Sequence, residues 1–111
     1  MLFRTYLVLA WLALAAFTAV VIAHHGMGLF PIFFGDIAAA GWPGQFNADF
    51  MTMLALSGLW CAWRGRWSAQ AIAHGLLAFV GGGIVLMITL LVLHTRHNGD
   101  MRRVLLGDRA R

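Results

Sequence analysis

Six ionisable side chains hold most of the chemistry that this chain of 111 residues offers: His24, His25, Asp36, Asp49, His94 and His97. Imidazole nitrogens together with a carboxylate suit zinc, copper or iron, and His94 and His97, three residues apart, share one face of a helix. The sharpest chemical expectation is a metal or haem site built from His24 or His25, Asp49 and His94. His74, next to Gly75, stands apart as a candidate axial ligand for a haem or chlorophyll. Each residue also has a plainer role. His94 and His97 fall where a helix ends and Asp49 where one begins, positions that suit their charges, and His74 is placed to bond a carbonyl or headgroup water. No Ser/His/Asp set, phosphate-cradling glycine loop or Cys-x-x-Cys is present. No acid lies deep in an apolar segment, as a proton-coupled transporter would require. Neither an autonomous enzyme nor a pump is expected, and the single Cys61 reads as a small core residue without a disulfide partner.

The elements that must position these residues are apolar and long. Thr5 to Trp63 contains no lysine or arginine, and its only acids are Asp36 and Asp49. With 61% hydrophobic and 11% charged residues and a mean hydropathy of +0.80, the composition predicts one small all-α membrane domain over 1–111. Three spans are expected, at about 5–25, 46–63 and 69–94. The first opens on a 19-residue uncharged run, Thr5 to Ala23, longer than the h-region of about 7 to 15 residues in a cleaved signal. Met27 to Ala40 is broken by Pro31 and Gly35 and would reach only about 21 Å as a helix, so an interfacial or re-entrant helix over about 27–40 is expected. A four-span layout is the minority alternative. Gly41-Trp42-Pro43-Gly44 reads as a reversing turn, Asn47 as the cap of the second span, and Arg64 to Trp67 as a tight hairpin before a Ser68 cap. Asn98-Gly99 would end the third span, leaving a surface tail over 98–111.

Helices in lipid associate through small residues, and each span carries such a stripe: Ala15, Ala19 and Ala23; Ala55, Gly58 and Ala62; Ala71, Gly75, Ala78 and Gly82. A three-helix bundle with faces left for a second copy or another membrane subunit is the expected architecture. Gly81-Gly82-Gly83 at the centre of the third span implies either a close approach to its backbone or a bend. All eight basic residues are arginine, giving a net charge of +4. They lie at segment ends, which suits lipid headgroups rather than nucleic acid. With three spans the positive-inside rule is divided, three arginines against five, and the short hairpin tips the expectation to a cytoplasmic N-terminus.

Gly28-Leu29-Phe30, Phe33-Phe34, Ile37-Ala38, a turn, and Phe46-Asn47-Ala48-Asp49-Phe50 lead into a second span ending at Arg64-Gly65-Arg66. This arrangement, from about Leu7 to Arg96, resembles a group of small bacterial three-helix membrane proteins catalogued as a domain of unknown function, although Ala48 stands where that group often has leucine. The resemblance implies a bacterial inner-membrane fold and transfers no activity. The expected role is an accessory or packing subunit in a membrane complex or homo-oligomer. A subunit binding a metal or haem, or a small homo-oligomeric transporter, are the alternatives.

Overall fold

The computed structural model describes residues 2–110 and is all-helical: α1 (Leu2–His25), α2 (Leu29–Ala39), α3 (Trp42–Arg64), α4 (Ala69–Arg96) and α5 (Met101–Leu106), closed by a 3-10 turn at Gly107–Arg109. The apolar, Ala- and Leu-rich α1 runs unbroken until Gly26, at φ +73°, breaks it. Pro31 sits in the first turn of α2, where its missing N–H leaves no intrahelical bond unmade.

The second long helix begins earlier than its sequence suggests. Gly41 caps α3 and Pro43 lies within its first turn, so the Trp42-Pro43-Gly44 segment is helical rather than a reversing loop. Proline's φ is preset for a helix start, and the reversal is made instead by Ala40, in the left-handed region at φ +59°. Asn47 is therefore no cap. It lies inside α3 and donates its side-chain amide to the Phe33 carbonyl at 3.2 Å, tying α2 down. Gly44 is buried under the same helix, because a Cβ there would meet the Asp36 carbonyl.

After α3 the chain turns through Gly65, Arg66 and Trp67, and the last two adopt positive φ, a strained conformation for residues with side chains. Ser68 then caps α4, its Oγ accepting from the Ala71 amide at 3.1 Å.

The largest departure from a bundle of straight rods lies within α4. Gly82 has φ +61° and ψ −142°, and the helix reverses there into two arms, 69–81 and 83–96. In one straight helix His74 and Thr89 would be roughly 22 Å apart; here their side chains are hydrogen-bonded at 2.8 Å. Both α1 and α4 are long and apolar enough to cross a membrane by length and composition, whereas α3, which holds the expected second span at 46–63, is long enough at 23 residues but less apolar and is not among them. α4 reaches that length only by adding its two arms, each of which would span about 20 Å.

The arms pack on different partners. Gly75 on the first arm crosses Gly58 of α3 so closely that a Cβ on either would lie 2.6–2.7 Å from the other's carbonyl oxygen. Gly82 at the tip faces Phe50 and Leu54 of α3. The second arm takes α1, with Gly83 against Leu14 and His94 against Arg4. Only Leu7 of α1 is buried, and its half beyond Ala15 runs on past the tip of α4 without burying a residue.

Because α4 doubles back, its end returns to the level of its start. Asn98 (φ +54°) and Gly99 (φ +81°) turn the chain, and Asp100 caps α5 by accepting from the Arg102 and Arg103 amides. The tail does not lie free on a surface. α5 docks on the end of α3, with Val104 0% exposed, Trp60 donating its indole N–H to the Leu105 carbonyl at 2.9 Å and Arg64 donating to the Val104 carbonyl at 3.0 Å. The seven described arginines thus collect at one end of the molecule. The three-against-five division disappears, because it assumed a straight third span.

Candidate functional site

Between the two arms of α4 and the docked tail lies a groove of about 670 Å³. Its depth is set by the reversal at Gly82. His74 and Thr89, one from each arm, meet part-way along its floor through their mutual hydrogen bond. Thr89 is buried at 7% exposure, so the histidine nitrogen supplies the partner that its hydroxyl would otherwise lack. Leu77, Val85, Ile88 and Val92 form apolar walls.

Two guanidinium groups and one carboxylate edge the mouth: Arg64 at the end of α3, Arg96 at the end of α4 and Asp108 in the tail. Arg64 is held in place by donating to the Val104 and Arg103 carbonyls at 3.0 and 3.3 Å. Arg96 is exposed and, among the described residues, makes no side-chain hydrogen bond or ion pair. Ser68 and Gln70, at the start of the first arm, also border the opening, and this helix N-terminus adds partial positive charge. The arrangement is an electropositive rim over an apolar trough. Cys61 and Ser68 also line it, and the Thr89 hydroxyl is held by the His74 ring.

The residues with ligand chemistry are scattered. His24 and His25 lie exposed at the end of α1, their ring centroids 6.4 Å apart. Asp49 is exposed more than one turn inside α3 rather than at its start. His94 is 8% exposed at the arginine end: its Nδ1 accepts from Arg4 Nε at 2.8 Å, its carbonyl accepts from Arg4 Nη2 at 3.3 Å, and Phe3 packs against its ring at 5.2 Å. Arg4 and His24 are twenty residues apart on one unbroken helix, about 30 Å. The structure therefore does not bring His24 or His25, Asp49 and His94 together. Among the described residues no three His, Cys, Asp or Glu side chains converge on a common point.

His74 does face a cavity, but its Nε2 is engaged by Thr89 and its neighbour Gly75 is covered by the Gly58 carbonyl. Of the small residues on the three helices, Gly58, Ala71, Gly75, Ala78 and Gly82 are buried, Ala15 is half-buried, and Ala19 and Ala55 face outward. Sequence reasoning passed over Arg64, Arg96, Thr89 and Asp108 as members of one site. The available signal was the glycine triplet, since a reversal there superimposes residues equally distant on either side.

Comparison with family models, curated proteins and solved structures returned no match. The resemblance to small bacterial three-helix membrane proteins rests on the quoted residues alone.

Proposed function

We propose that this chain is a small integral protein of the bacterial inner membrane, with two crossing helices, α1 and α3, and a doubled-back α4 entering from the arginine side. Its role is that of an accessory or packing subunit, in a homo-oligomer or beside a larger membrane protein. The observation that carries this reading is the segregation of charge. Seven arginines gather at one end of the molecule, while large apolar side chains such as Leu12, Phe17, Leu56 and Leu76 point outward along the helices at 53–66% exposure. A water-exposed surface rarely carries so much contiguous apolar area, whereas a bilayer requires it. The arginines then mark the cytoplasmic face.

The accessory role follows from the uncovered half of α1. Ala19 and Ala23 lie on it without a neighbouring helix, which suits close contact with a second copy or another subunit.

Single cysteines at Phe3, His25, Arg66 and Asn98, introduced in a Cys61→Ser background, test the topology with a membrane-impermeant maleimide. Positions 3, 66 and 98 are expected to react from one face and position 25 from the other, in protein that resists carbonate extraction. Release by carbonate would overturn membrane integration. Labelling of position 98 from the face opposite to 66 would replace the doubled-back α4 with a straight third span.

A further inference from the structure

The groove between the arms of α4 has a polar rim and an apolar interior, and this combination selects a class of ligand. We propose that it binds one anionic phospholipid, with the phosphate between Arg64 and Arg96 and an acyl chain lying along Leu77, Val85, Ile88 and Val92. The proposal rests on the membrane reading above, which places the groove mouth at the headgroup level of the arginine-side leaflet.

Three observations carry it. The first is charge. Arg96 reaches the mouth without a protein acceptor among the described residues, and Arg64 has committed only Nε and one terminal nitrogen to carbonyls, out of the five N–H donors of a guanidinium. A phosphate monoanion is the oxygen-rich partner such donors match, and basic pockets between membrane helices bind lipid headgroups. The second is shape. Each arm is too short to cross, so the trough opens part-way into the hydrocarbon, where a free inorganic anion would have nothing to occupy it. The third is polarity inside. His74 Nε2 and the Thr89 hydroxyl bond each other on the floor of the trough, so neither of these two atoms is left unpaired beneath the chain. Asp108 stands at the same rim and partly offsets the charge of Arg64, so removing its carboxylate strengthens the hold on an anion.

The full chain reconstituted in vesicles of phosphatidylglycerol and phosphatidylcholine, then released into mild detergent for native mass spectrometry, tests the proposal. Flotation of the vesicles reports membrane insertion separately. Wild type is expected to retain one phosphatidylglycerol in preference to phosphatidylcholine. Arg96→Gln should lower that preference about fivefold, the worth of one arginine beside an anionic headgroup, and Asp108→Asn should raise it, while Arg66→Gln, in the exposed turn outside the groove, leaves it unchanged. Equal losses in Arg96→Gln and Arg66→Gln would overturn the proposal in favour of diffuse surface attraction. Equal retention of phosphatidylcholine by wild type would overturn it as well, as would displacement of the lipid by inorganic phosphate alone. Protein that fails to float sinks the membrane reading itself; protein that floats without lipid preference sinks only the groove.

Discussion

The helices α1 and α4 have the same kind of sequence and opposite shapes. Each is a run of more than twenty residues long and apolar enough to cross a bilayer, yet α1 is one rod and α4 is two half-length arms folded together. α1 has no glycine between Leu2 and His25, and leucine, alanine and valine keep its backbone helical throughout. α4 has three consecutive glycines at its midpoint, the central one in a conformation that side chains avoid. Reversal alone would bury polar groups without partners. It is viable because His74 and Thr89 lie eight residues before and seven after Gly82 and meet when the arms close. Length in residues, then, measures a crossing only when nothing in the middle permits a turn.

The comparison is most directly broken at its hinge. Gly82→Ala should destabilise the fold by about 1–3 kcal/mol through the forced positive φ, and by more through the Phe50 ring, which lies 3.3 Å from the position a Cβ would take. Denaturant titration in detergent would show the shift, and a cysteine at position 98 would report whether the arms have straightened. A comparably large or slightly smaller effect is expected for Gly75→Ala. Here the α3 and α4 backbones must separate to admit a methyl group beside the Gly58 carbonyl, an overpacking cost on the order of 1–3 kcal/mol.

Removing one member of the polar pair should cost less. His74→Leu leaves the Thr89 hydroxyl buried without its partner, and interhelical hydrogen bonds in membranes average about 0.6 kcal/mol. The double variant His74→Leu with Thr89→Val should recover part of that loss, so the coupling is read from a mutant cycle. The smallest effect falls on the unbroken rod. The Trp11 indole N–H of α1 is buried with no hydrogen-bond partner among the described residues, so Trp11→Phe, which keeps an aromatic ring and deletes the orphan donor, should leave stability unchanged or raise it by less than about 1 kcal/mol. A marked loss would show that the indole has an acceptor outside the chain.

Local signals were legible where they depended on one or two adjacent residues. The serine before Ala69 caps α4, and Asn98-Gly99 turns the chain, because a hydroxyl acceptor and a left-handed backbone act without distant partners. Trp42-Pro43-Gly44 misled because proline serves turns and helix starts equally well, and α2 lying over Gly44 decides between them. Asn47 looked like a cap for want of any sign that Phe33 would be its acceptor. The pairing of Arg4 with His94 joins residues ninety positions apart, and no local pattern encodes it.

Composition and spacing alone determined that this chain is helical, apolar and tipped with arginine, since those properties follow from side-chain transfer energies and backbone propensities summed residue by residue. Tertiary structure alone decided that α4 turns back on itself, that the arginines share one end, and that a groove lies between its arms. A glycine triplet merely permits a reversal. Whether it occurs depends on packing of Gly75 on Gly58, the His74–Thr89 bond and the docked tail, interactions that exist only when the distant parts of the chain are already together.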